Sequence, residues 1–151
     1  MANYDLNIAT GILGMPCAFD NTIESYIASG TVTPGRPVYT TPGAPTVCHE
    51  SYSAGDYFAG IAMLSHKGYV DAVGLYADKE NVNVLSKGRI LVQAGENITT
   101  ANVAVYANTT SKKFVLLNTG NADFGAIARG NGVSDGVLEV EVNGPKLVVV
   151  A

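Results

Sequence analysis

Tryptophan is absent from these 151 residues, and cysteine and histidine occur only twice each. Cys17, Cys48, His49 and His66 are therefore the whole supply of thiol nucleophiles, imidazole bases and nitrogen or sulfur metal ligands. A structural zinc needs three or four such ligands at recognisable spacing, and neither CxxC nor HxxxH is present. Charge is also scarce, at 15% of residues where about a quarter is usual. The nine cations are scattered, with Lys112-Lys113 the only adjacent pair, and the net charge is −4. That balance argues against nucleic acid as a ligand. No stretch approaches the roughly 18 apolar residues that cross a bilayer. Met1-Ala2-Asn3-Tyr4-Asp5 lacks the positive start of a secretory signal, so the expectation is a protein that stays in the cytoplasm where it is made, with free thiols.

Catalytic signatures are missing as well. The chain has no GxxxxGK[ST] loop and no GxGxxG after a strand. Cys48-His49-Glu50 is the most suggestive triplet, yet neighbours on an extended strand point to opposite faces, which argues against a Cys–His pair. A hydrolase built on Cys48 or on Ser65-His66 is the enzyme alternative. Asp71, Asp78 and Glu80 are close in sequence but lack the DxDxDG order of a calcium loop. The expectation is no catalytic, cofactor or metal site, and no cofactor. Asn97-Ile98-Thr99 and Asn108-Thr109-Thr110 match the glycosylation acceptor pattern and read more simply as polar turns.

What the chain does contain is strand vocabulary. The hydrophobic share is 47%, and glycine or proline interrupts nearly every ten to fifteen residues, the rhythm of an all-β protein. Few charges at that hydrophobic content leave little polar covering for an isolated monomer, so part of the surface is expected to be covered by a partner. Eight tyrosines suit either a β-rich interface or a sugar platform, and the interface reading is preferred. One pattern occurs twice. Val38-Tyr39 is followed by Asp56-Tyr57-Phe58-Ala59-Gly60-Ile61-Ala62, and Val105-Tyr106 by Asp123-Phe124-Gly125-Ala126-Ile127-Ala128, with a slip of one residue. The shared residues are packing residues, which points to structure or interaction.

Individual segments follow from their periods. Residues 1–20 have none, and read as an extended arm preceding a β-rich domain over 21–151. Residues 21–28 fit a strand better than a short capped helix. Pro37 opens a short strand, a position that tolerates proline. Residues 57–64 are apolar on both faces and need cover from two sides. Residues 80–84 and 89–92 flank Ser86-Lys87-Gly88 and predict a hairpin. Strands are expected over 101–107 and 113–117. Val137 to Val142 alternates cleanly, with Leu138, Val140 and Val142 inward and Glu139 and Glu141 outward. Leu147-Val148-Val149-Val150-Ala151 carries no charge, so it should be paired, in the fold or against another subunit.

Several fragments taken in order resemble the structural cement, or decoration, proteins of tailed bacteriophages. They are the Gly-rich apolar arm, Ile23-Glu24-Ser25-Tyr26-Ile27, Pro34-Gly35-Arg36-Pro37-Val38-Tyr39, the Asp56–Ala62 stretch, Val82 to Ile90, and Val103-Ala104-Val105-Tyr106. The resemblance implies an all-β protein, a small β-barrel or β-sandwich of short antiparallel strands, with the repeat raising two similar β subdomains as an option. It implies a non-enzymatic virion protein on the outer capsid surface, made in the host cytoplasm, that bridges major capsid subunits. Its partners would be the major capsid protein and further copies of itself, as a trimer or else a dimer, with no nucleic acid or membrane. Ile8, Ile12, Leu13 and Met15 on the arm are the expected capsid or inter-subunit contacts. A carbohydrate- or host-surface-binding module on a virion is the alternative.

Overall fold

A computed structural model describes residues 13–17, 21–64 and 74–151. Among these residues there is no helix. The strands are β1 Thr22–Ala28, β2 Pro37–Thr40, β3 Val47–Cys48, β4 Tyr57–Ala62, β5 Asn81–Gln93, β6 Val103–Ala104, β7 Tyr106–Ala107, β8 Phe114–Val115, β9 Ala122–Asp123, β10 Ile127–Ala128, β11 Val137–Asn143, β12 Lys146–Leu147 and β13 Val149–Val150. They form a nine-stranded sheet along β12-β4-β5-β11-β10-β6, with β2 on β4, β1 on β5 and β3 on β1. A four-stranded sheet runs β13-β9-β7-β8. Pairing is mostly antiparallel, β1 with β3 being the parallel exception among the named strands. The sheets curve into a half-barrel, the all-β class that the turn rhythm predicts.

The hairpin expected around Ser86-Lys87-Gly88 is not there. β5 runs through it as one strand of 13 residues. Its first half pairs with β1, from Ile27–Asn81 to Thr22–Lys87, and its second with β11, from Asn143–Lys87 to Val137–Gln93. Ser86 is buried and its hydroxyl donates to the Thr22 carbonyl at 3.3 Å, so this is strand interior and not a solvated tip. Gly88 marks a kink: at φ +134° a Cβ would run into the Asn21 side chain. The sequence cue for a turn was in fact the cue for a handover between partners.

The predicted strand over 101–107 divides in the same way. β6 joins the larger sheet and β7 the smaller one, with Val105 buried between them. β11 carries the expected alternation, with Leu138, Val140 and Val142 buried. β4 is buried from Phe58 to Ala62, as its two apolar faces require.

The repeated motif is visible as geometry. Val38 lies opposite Gly60 between β2 and β4, and the Val105 N–H donates to the Ala126 carbonyl at 3.0 Å. Gly60 and Ala126 are equivalent positions of the two copies. The copies meet through their phenylalanines: Phe58 and Phe124 stack at 3.8 Å between ring centres with planes 5° apart. Phe114 meets Phe124 edge-on, and Tyr39 meets Phe58 likewise. Both copies feed the principal core, the first through Tyr39, Phe58 and Ile61 and the second through Phe124, Ala126 and Ala128, while Val38, Ala59 and Ala62 of the first turn to a smaller one. A smaller core of Val32, Val38, Cys48, Tyr76, Val82 and Val84 lies beside it.

Candidate functional site

The segment 13–17 is strapped to the sheet by its backbone. Gly14 N–H donates to the Leu91 carbonyl at 2.8 Å, and the Gly14 carbonyl accepts from Leu64 N–H at 2.9 Å. Leu91 N–H donates to the Met15 carbonyl at 3.0 Å, and Cys17 N–H to the Arg89 carbonyl at 2.9 Å. Pro16 thus bridges Ile90 on the edge of β5 opposite β11. Gly14 is required there, because at φ +84° a Cβ would sit 2.7 Å from the Leu64 nitrogen. Leu13 and Met15 are half-buried. Ile8 and Ile12 lie outside the described residues.

Cys48, His49 and Glu50 diverge as their spacing on an extended chain implies. Cys48 is buried in the smaller core, and that burial pushes its thiol up to about 11, opposite to what a nucleophile needs. His49 turns the other way. Its Nδ1 lies 2.7 Å from the Ser51 carbonyl, and its Nε2 lies 3.1 Å from the Thr41 hydroxyl and 3.4 Å from Asp56 Oδ2. Asp56 is buried and also accepts from Ser53 N–H at 2.9 Å, which fixes the loop between β3 and β4. Glu50 joins three segments: Oε1 meets Arg36 at 3.3 Å and Lys112 at 3.1 Å, and Oε2 accepts from Thr33 N–H at 2.9 Å. Nothing in the sequence spacing announces that tie across 62 residues. Ser65, His66 and Asp71 lie outside the described residues. Among the described residues no group of three or more His, Cys, Asp or Glu is arranged to hold a metal ion.

Several of the described tyrosines are tied into the structure. Tyr39 is buried against Tyr52 and Phe58, Tyr76 donates to the Met63 carbonyl at 2.9 Å, and Tyr26 donates to Glu24 at 2.7 Å. Asn97 and Asn108 accept backbone N–H bonds from Ser134, and from Thr110 and Ser111, as turn residues do.

What the surface does offer is apolar. Tyr57 on β4 lies opposite Leu147 on β12, and both are exposed. Val149 and Val150 follow on β13 and are exposed too, while Val148 between the two strands is buried. Ile23 and Ile27 are exposed on β1. The uncharged run 147–151 was the signal for this surface in the sequence; that Tyr57 joins it needed the strand register.

A family model described as "Structural cement protein (E217 gp24/Pam3 gp6)" matches residues 2–146. Among solved structures, a chain from "The capsid of Myoviridae Phage XM1" is similar to this one with a TM-score of 0.73. Identity between the two is 18%, and the match covers 89% of this chain and 91% of that one, a likeness of fold. No curated protein sequence matches the chain.

Proposed function

This chain belongs to the phage structural cement protein family, and from that membership we propose that it binds the outer surface of an assembled capsid and holds neighbouring major capsid subunits together. The observation that carries the reading is the family match over residues 2–146, nearly the whole chain. The architecture supports it physically. A stiff half-barrel with one principal core presents apolar side chains on short, well-fixed strands, so little conformational entropy is lost when they are covered. A standard interface buries roughly 1,200–2,000 Å² in total. Repeated over a shell, even modest contacts raise the cost of opening every seam they cross, because the sites are coupled through the lattice.

In this reading the arm, residues 1–20, makes the capsid or inter-subunit contact through Ile8, Ile12, Leu13 and Met15, and the 21–151 domain is the body. The strapping of Gly14 and Met15 to β5 and Leu64 supports a fixed exit point for the arm. The protein acts without catalysis and associates with copies of itself, as a trimer or a dimer. It is made in the host cytoplasm and ends on the virion surface.

The test is add-back. Purified protein is mixed with expanded shells that lack it, sedimented, and the shells are heated. Binding with a raised rupture temperature is expected. Shells that neither bind the protein nor gain thermal resistance would refute the proposal. Deleting residues 1–12 keeps the strapped residues, so it should leave a folded protein that adds poorly to shells; normal addition would remove Ile8 and Ile12 from the contact.

A further inference from the structure

We propose that the two Asn-Gly pairs of this chain, Asn131-Gly132 and Asn143-Gly144, are sites of chemical rearrangement that the fold itself holds shut. The inference concerns the chain alone and goes beyond the capsid-binding reading. Asparagine is a thermolabile residue, most of all before glycine, where no side chain hinders attack by the next backbone nitrogen. In that reaction the glycine nitrogen gives up its proton and bonds to the asparagine Cγ, and the side-chain nitrogen leaves as ammonia. Water then opens the resulting succinimide at one carbonyl or the other, to aspartate or to isoaspartate. Either product carries a new carboxylate, and the iso form routes the main chain through an extra methylene.

The fold asks for glycine at both places. Gly144 has φ +78°, in the left-handed region, and a Cβ on Gly132 would sit 3.2 Å from the Val137 carbonyl oxygen and from Leu138. Both asparagines are exposed, so water and base reach them and burial gives no shelter. Shelter comes from the glycine nitrogens. Gly132 N–H donates to the Ile98 carbonyl at 2.9 Å, and Ile98 N–H returns a bond to the Gly132 carbonyl at 2.7 Å. Gly144 N–H donates to the Ser86 carbonyl at 2.7 Å. Ile98 and Ser86 are both buried, so water does not readily replace either acceptor. The electron pair that would attack lies where the N–H now points, and that direction is taken by a distant carbonyl. Attack therefore waits for the bond to open, and the native rate is limited to the free-peptide rate multiplied by the open fraction. Damage at Asn143 would reach furthest into the fold, because Asn143 pairs with Lys87 where β5 passes from β1 to β11.

The measurement is peptide mapping by mass spectrometry on the full native chain, held in warm, mildly alkaline buffer. The reference is a synthetic peptide of residues 130–146, the tryptic fragment that carries both pairs, in the same buffer. The amide-to-acid mass change at Asn131 and Asn143 gives the two rates, and hydrogen exchange by NMR at Gly132 and Gly144 gives the open fraction of each bond. Both sites are expected to react at least about tenfold more slowly in the native chain than in the peptide, an opening cost of about 1.4 kcal/mol or more. The slowing at each site should be at least as large as the exchange protection of its own glycine. A native rate equal to the peptide rate at either site would overturn the proposal. So would slow reaction beside a freely exchanging glycine amide, because the hydrogen bond would then not be what restrains the nitrogen.

Discussion

Phe124→Ala probes the joint between the two copies of the repeated motif. Phe124 is fully buried, stacked on Phe58 and met edge-on by Phe114, so truncation removes a ring from the centre of the principal core. Core Phe→Ala changes cost about 3–5 kcal/mol, and the constrained stack leaves little room for collapse, so about 4 kcal/mol is expected. For a chain of this size each kcal/mol lowers Tm by roughly 2–4 °C, giving a drop of about 8–16 °C. The sharper assay is a double-mutant cycle in urea with Phe58→Leu and Phe124→Leu, which keep the core filled. An offset or edge-on ring pair contributes about 0.5–1.5 kcal/mol beyond area burial, and this close face-to-face pair falls at the low end, so the double variant should be milder than the sum of the singles by about 0.5 kcal/mol. If the singles add to within about 0.3 kcal/mol, the rings do not act as a pair, and the view of the repeat as two halves locked at one stack is wrong.

Other perturbations test other parts of the account. Gly60→Ala should cost about 2–4 kcal/mol in chemical denaturation, because at φ +151° its Cβ would sit 2.5 Å from the Leu85 carbonyl oxygen; a loss below about 1 kcal/mol would show that the β4 backbone can relax there. Glu50→Ala removes the acceptor for Arg36, Lys112 and the Thr33 N–H, and should lower stability by about 2 kcal/mol, less at high salt; an unchanged Tm would demote that tie to an incidental surface contact. Stability should fall on alkaline titration. Burial holds the Cys48 thiol at about 11 and the Tyr39 phenol above its usual range, whereas the unfolded thiol ionises near about 8.5, so the unfolded state sheds protons first. The stabilisation is complete below about pH 8.5 and is lost as pH climbs toward about 11; a flat profile through pH 10 would contradict it. Cys48 should resist thiol reagents in the native protein at pH 8 and react once unfolded, and rapid native labelling would contradict its burial.

The parts of the fold legible in the sequence were those with a local period. β11 announced itself by alternation, β4 by apolarity on both faces, and β2 by its leading proline. Ser86-Lys87-Gly88 misled because small and polar residues favour both turns and strand kinks, and only the distant partners, Thr22 and Asn143, decide between them. The split of 101–107 was hidden for the same reason: two sheets compete for seven residues, and the buried Val105 marks the switch. For the site, the spacing of Cys48 and His49 on an extended chain argued rightly that they diverge. The Glu50 tie and the place of Tyr57 beside Leu147 were not legible, since each depends on segments 62 and 90 residues away in register.

The claim at the centre of this account is that the chain spans seams between major capsid subunits. A cryo-electron microscopy reconstruction of shells decorated with the purified protein tests it directly. Density for the half-barrel lying across the boundary of two or more capsid subunits, with the arm reaching onto one of them, is the predicted result. Density confined to the face of a single subunit, with every boundary left open, would contradict it.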